Sequence, residues 1–230
     1  MIHVFGRPDP PVPRLIAALA ARGHELSRMP DSKPSTPATL VLGAEKSLDA
    51  MALGVLAGAW RKAGRARVLV LSALGAHPDA RAPRLRRLWE LEESARGLAL
   101  PVLVLRLGPL IGPDSPLWRK LRSRPRLPRG GRMLIQPVAE SDVIETLERA
   151  LDGRAGWKDW YEVASPEPLT LAELAALAAG GAPDRASLAG AAWEPPLEEM
   201  NEHRLAEAEP WLRHFQMTAR PIREEVPAWA

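Results

Sequence analysis

The sequence predicts an α/β fold: a doubly wound parallel sheet, trimmed, with a small C-terminal lobe. Two observations predict it. Short, almost wholly apolar runs recur at 2–5, 24–26, 38–43, 67–72, 101–107 and 160–164, and such runs suit strands covered on both faces. Helical patterns separate them at 13–22, 47–63, 83–97 and 141–151, and strands alternating with helices build a parallel sheet. In this class, ligands are expected at the carboxyl ends of the strands.

The first strand, "IHVF", leads through the turn "GRPDPPV" (6–12) into the amphipathic stretch "PRLIAALAARGHEL". Pro13 is benign at a helix start, because the first helical N–H has no intrahelical partner. The polar segment "RMPDSKPSTP" (28–37) reads as a loop, on ground where such a fold often carries a further helix and strand. Hence the trimmed sheet. In "MALGVLAGAWRKAG" (51–64), Gly54 and Gly58 stand four apart beside alanines, which lets a helix approach a neighbour closely. A homodimer interface and intramolecular packing both explain that pattern. Residues 107–136, rich in Pro, Gly and Arg, and residues 164–230, with one helical pattern at 169–179, break the rhythm. The expected division is a core over 1–163, with 107–136 contributing to a lobe formed by 164–230. Trp193, Trp211 and Trp229 are expected to anchor the C-terminal tail, since large aromatics bury well even in irregular segments.

Composition narrows the chemistry. The chain has 230 residues and 46% apolar content, enough for one good core. It has no cysteine, which excludes disulfides, thiolate nucleophiles and cysteine-ligated metals. His3, His24, His77, His203 and His214 are scattered and form no metal-ligand pair, so no metal site is expected. No apolar run reaches the length of a membrane span, and no basic stretch followed by an apolar core opens the chain. The expected location is cytoplasmic. All but five of the 31 basic residues are arginine, and there are 24 prolines, a bias that suits a thermophile or a GC-rich genome.

The chain resembles the extended and atypical short-chain dehydrogenase/reductases, in their NAD-dependent epimerase/dehydratase-like and NmrA-like branch. Five patches carry the resemblance, in family order. They are the opening strand with Gly6 and "ARGHEL" (21–26), "RVLVLSALGAHPDA" (67–80), "LPVLVLRLGPLIGP" (100–113), "IQPVAESDVIETLERAL" (135–151) and "YEVASPEPLTLAELAAL" (161–177). Together they span residues 1–180 and imply a Rossmann-like fold. The resemblance further implies a nicotinamide cofactor over the first turn. Gly6, Arg7, Arg28, Gly43, Ser72 and Gly108 are the candidate cofactor-binding residues. Arg28, at the end of the second strand, favours the 2′-phosphate of NADP. NADP and no dinucleotide at all are both open expectations.

The departures fall on the chemistry. The family's GxxGxxG turn reads Gly6, Asp9 and Val12 here, so a carboxylate and a branched side chain replace two glycines. Pro8, Pro10 and Pro11 lack the N–H donors that would face a diphosphate. Where the family carries its YxxxK pair, the chain has Arg84 and Leu88, within "PRLRRLWELEE" (83–93). An arginine stays protonated and is no general acid near neutral pH. The sole tyrosine, Tyr161, sits in the last strand with Ser165 four residues on. No catalytic residue is assigned. The remaining charges of that segment, Arg84, Arg86, Arg87, Arg96, Glu90, Glu92 and Glu93, read as an exposed helix face with i,i+3 and i,i+4 pairs.

The densest charge is "WRKLRSRPRLPRGGR" (118–132), seven cations without an acid. The resemblance implies that this lobe supplies cations to a substrate diphosphate, with Arg119, Arg122 and Arg132 as the substrate-binding candidates. A solvated loop and a nucleic-acid surface are the alternatives; the latter lacks interleaved aromatics beyond Trp118. Two functions remain open: a ligand-binding, regulatory or assembly protein without Tyr–Lys catalysis, and an NADP-dependent oxidoreductase or nucleotide-sugar-modifying enzyme with an atypical cofactor loop.

Overall fold

The structure, a computed structural model, describes residues 2–4, 12–28, 38–42, 58, 60–61, 66–154, 156–157, 160–180 and 200–229. Six strands form the main sheet: β1 (Ile2–Val4), β2 (Leu26–Arg28), β3 (Ala38–Leu42), β4 (Ala66–Ala73), β5 (Val102–Leu107) and a late strand, Trp160–Val163. Their order is β2-β1-β3-β4-β5 and then the late strand. β1 pairs in parallel with β2 on one side and β3 on the other, and β3 pairs in parallel with β4. The chain therefore winds outward in both directions from β1. In this fold class, ligands bind beyond the strand ends at such a reversal. The residues that continue from those strand ends, 5–11 and 43–57, lie outside the described residues, and with them Gly6, Arg7, Gly43 and Gly54.

Helix α1 (Val12–Ala21) buries Val12, Leu15, Ile16 and Leu19, the i, i+3, i+4, i+7 stripe that its sequence predicts. The second strand begins two residues later than the apolar pattern at 24–26 suggests. The end of α1 explains the shift: Gly23 takes φ +92°, and the Gly23 and His24 amides donate to the Ala20 and Leu19 carbonyls. Those contacts satisfy carbonyls that a helix leaves open and delay the strand.

The chain divides into two compact units, 1–106 with 147–161, and 107–146 with 162–230. In the first unit, Trp60, Val68, Val70, Leu85, Leu88, Leu91, Ala95 and Val104 form one buried cluster. His3 is fully buried and meets Trp60 edge-on, ring centroids 4.9 Å apart. Burial, with the N-terminal charge as a lesser cause, holds its pKa below the ordinary histidine value.

Helix α2 (Pro83–Arg96) departs from the exposed face expected of its charges. Leu85, Leu88, Leu91, Glu92 and Ala95 are all buried, and Glu92, four residues after Leu88, lands on the apolar stripe. Its carboxylate has no exposed surface. Three side chains satisfy it. Ser72 Oγ donates to Oε1 at 2.6 Å, Arg106 Nε and Nη2 reach the carboxylate at 3.0 and 2.7 Å, and Arg96 Nη2 approaches at 3.3 Å. The Arg106 guanidinium also lies 4.4 Å from the centre of the Trp160 ring. A buried carboxylate survives only with such complete pairing. At the far end of the sheet, Arg67 donates to Thr39 Oγ1 and to the Leu151 carbonyl, and stacks on Trp157 at 4.2 Å. Trp157 Nε1 donates to the Ala150 carbonyl, so two open carbonyls of the 140–151 helix gain donors.

The second unit is built around short strands and one amide. Two strand pairs, Leu110–Ile111 with Val138–Ala139 in parallel and Leu134–Ile135 with Leu169–Thr170 antiparallel, frame it. Gln136 links three segments: its Oε1 accepts from the Ala206 amide at 2.6 Å, its Nε2 donates to the Ser165 carbonyl at 3.0 Å, and its own amide donates to the Arg204 carbonyl. Trp211 is fully buried and donates to Thr146 Oγ1 at 3.0 Å, and Trp229 packs edge-on against Trp118 at 5.2 Å. Both tryptophans thus anchor the tail within this unit; Trp193 lies outside the described residues. In the first turn of the 140–151 helix, Asp142 is buried with Oδ2 unpartnered among the described residues. Burial raises its pKa to about 6, and the nearby Glu225 and Glu145 carboxylates add to the rise against the opposing charge of Arg220.

The two buried carboxylates differ in what their removal should do. Glu92→Ala should cost about 3–5 kcal/mol in urea denaturation, because it strands Arg106. Its half-exposed neighbour should behave differently: Glu93→Ala should cost no more than about 1 kcal/mol. Equal costs would contradict the buried network. For Asp142 the folded pKa lies above the unfolded one, so its protonated form favours the fold, and that contribution is lost as pH rises from about 4 to about 6. Asp142→Asn should therefore match the wild type at pH 4 and exceed it by about 1–3 kcal/mol at pH 8. An advantage independent of pH would contradict the assignment.

Candidate functional site

Ser72 and Arg28 come from strand ends of the first unit. Ser72 lies on β4, one residue before its end, buried, with its hydroxyl hydrogen committed to Glu92. Arg28 closes β2 and stands in register with Val4 of β1, which brings its backbone beside the end of the first strand. Val12, the third position of the turn motif, is 2% exposed at the start of α1. A branched side chain is thus buried where the dinucleotide fingerprint carries a glycine.

The proton-transfer positions are equally occupied by structure. Leu88 is 3% exposed and belongs to the apolar cluster of the first unit; an ammonium there would be desolvated without a partner. Arg84, half-buried one turn earlier, offers only donors. Tyr161 is 9% exposed in the late strand. The described residues of this unit bring together no hydroxyl–amine pair; the first turn and the segment after β3 lie outside them. At these positions Leu88 packs in the core and the Ser72 hydroxyl pairs with Glu92.

Gly108 belongs to the second unit, and packing dictates it. A Cβ at this position would lie 2.2 Å from the Gln136 carbonyl oxygen and 3.5 Å from Ala164 Cβ. Its amide donates to the Val163 carbonyl at 2.9 Å.

Arg119 and Arg122 lie on helix α3 (Pro116–Arg122), which Ser115 caps by accepting from the Trp118 amide. Both are half-buried, and Arg119 Nε is buried without a partner among the described residues. Arg132 is exposed and donates to the Arg129 carbonyl at 3.3 Å. Other cations of the same basic stretch border a cleft. Lys120, Arg126 and Arg129, with Asn201 and Leu127, border a concavity of 710 Å³. The signal that could have singled them out is the alternation "RPRLPRGG", whose prolines and glycines turn the chain and project its arginines from one bend. Trp118 is 5% exposed, so it offers no face on which a base could stack.

No family model and no curated protein matches the sequence. Solved structures do match its fold. Citrobacter sp. triphenylmethane reductase complexed with NADP(H) aligns over 100% of this chain and 99% of its own, with a TM-score of 0.67 and 14% identity. MoeE5 in complex with UDP-glucose and NAD aligns over 99% and 97%, with a TM-score of 0.64 and 19% identity. UDP-glucose 4-epimerase of Thermotoga maritima, with UDP-glucose, aligns over 98% and 96%, at 0.63 and 14%. At such identities the likeness establishes architecture: this chain has a Rossmann-like α/β fold similar to that of these proteins.

Proposed function

We propose that this protein is a ligand-binding or regulatory member of the dehydrogenase scaffold, one that does not use Tyr–Lys proton transfer. The observation that carries the reading is the fate of the reactive positions. Leu88 is core, and the Ser72 hydroxyl is held by a buried carboxylate. A hydroxyl that donates to Glu92 cannot at the same time donate to a substrate oxygen, and no amine stands four residues from a tyrosine to depress its pKa. The turn residues Asp9 and Val12 point the same way, since a carboxylate opposes a diphosphate and Val12 is buried where the fingerprint carries a glycine.

A second reading, an NADP-dependent reductase in which water or substrate supplies the proton, is favoured by one observation: Arg28 closes β2 beside the end of β1. The fold neighbour that binds NADP(H) is consistent with it.

Melting temperature in the presence of NADPH and NADH, together with product analysis of NADPH-supplied carbonyl compounds and UDP-glucose, separates the two. The first reading expects no turnover of any of them. The second expects stabilisation by NADPH of roughly 2.7 kcal/mol at a hundred times its dissociation constant, and an affinity that falls about tenfold in Arg28→Ala. Turnover whose pH profile is unchanged in Ser72→Ala would favour the second reading; turnover abolished by Ser72→Ala would overturn the first reading's account of that hydroxyl. Asp9→Gly with Val12→Gly should strengthen nucleotide binding if those side chains are what opposes it.

A further inference from the structure

We infer that the C-terminal tail, residues 220–229, is a pH-gated latch: it lies closed on the second unit while the Asp142 carboxyl carries a proton, and loosens when that proton leaves. The geometry sets the tail beside the group that gates it. Its short helix, Ile222–Glu225, packs on the Val138–Ala139 strand, which runs without a break into the helix whose first turn holds Asp142. Asp142 is 9% exposed, and its Oδ2 is buried with no hydrogen-bond partner among the described residues. A charged carboxylate left so is costly, and a neutral carboxyl far less so.

The charges around Asp142 add to that cost. The tail contributes Glu225, only 13% exposed, and the helix itself contributes Glu145, one turn on. Glu140, two residues earlier, turns its carboxylate against Gly112, and the Val138–Ala139 strand has no ionisable side chain. The tail's own counter-charge is Arg220, whose Nε lies 3.2 Å from Glu225 Oε1 but whose side chain is 68% exposed; an ion pair so open to water is weak. Burial first, then Glu225 and Glu145, raise the Asp142 pKa to about 6. In the open form water reaches the carboxyl and the ordinary value near 4 returns. Closure is therefore favoured in full below about pH 4 and loses ground until about pH 6. The other anchors stay in place over that range. Ile222 is buried in the apolar cluster with Leu117 and Trp118, Trp229 meets Trp118 edge-on, and Arg223 pairs with Glu173, which hydrogen bonds from the Thr170 backbone and hydroxyl hold at about 2. The latch thus has a fixed apolar hinge and one carboxyl that changes charge.

Amide hydrogen exchange of the full chain tests the latch, read at the Glu224 and Val226 amides, which donate to the Pro221 and Ile222 carbonyls. Expressed as protection factors, so that the intrinsic pH dependence of exchange cancels, their protection should fall at least tenfold between pH 4.5 and pH 8. It should also lie below that of the strand amides at 66–73, as expected of a tail that opens without global unfolding. Asp142→Asn should hold the tail's protection nearly constant across that range, because an amide has no such proton to lose. Two further variants read the same gate without touching the buried position. Glu225→Gln removes the facing charge and should shrink the fall, whereas Glu224→Gln, at an exposed neighbour, should keep the wild-type response. Protection in the wild type that does not change with pH, a fall of equal size in Asp142→Asn, identical responses in the two tail variants, or tail amides that exchange only together with those of 66–73 would each overturn the inference.

Discussion

A carboxylate sealed inside an α/β layer governs the first unit of this protein. Glu92 sits on the apolar stripe of α2 with no exposed surface, and a lone ionised carboxyl there would cost several kcal/mol. Its partners come from three places: Ser72 on β4, Arg106 on β5, and Arg96 one turn further along the same helix. Arg106 is further confined by the Trp160 ring beneath its guanidinium. The network fixes helix to sheet, and it commits the hydroxyl near the end of β4 to structure.

The second unit is held by different means. Gln136 satisfies both ends of its amide on separate segments, which pins the chain around 204–206 and 165 to the strand at 134–135. Gly108 and Gly131 mark two places where backbone or side chains come too close for a Cβ. The 120–130 bend of this unit gathers positive charge. Arg106 and Arg96 hold structure and are paired; Arg126 and Arg129 face a cleft and, among the described residues, have no ion-pair partner.

Much of the fold is legible in the sequence because apolar runs and helical periods report burial directly. Strands at 66–73 and 102–107 and the helices at 12–21 and 83–96 fall within one or two residues of their patterns. Glu92 is less accessible to such reading: charge argues for exposure, and only its i+4 relation to Leu88 reveals the buried face. The apolar pattern sets β2 too early because Gly23 and His24 serve the end of α1. Within the basic stretch, composition locates the charge, but only the bend at 125–130 brings Lys120, Arg126 and Arg129 around one concavity. Ser72 illustrates a further limit, since its position at a strand end says nothing of which group its hydroxyl faces.

A crystal structure of the protein grown with saturating NADPH tests the account most directly, read at the Ser72 side chain. The account predicts that Oγ stays within hydrogen-bond distance of Glu92, with the Arg106 guanidinium still bidentate, whatever the nucleotide does. A Ser72 hydroxyl rotated away from Glu92 and donating to an ordered nicotinamide or substrate oxygen would contradict it.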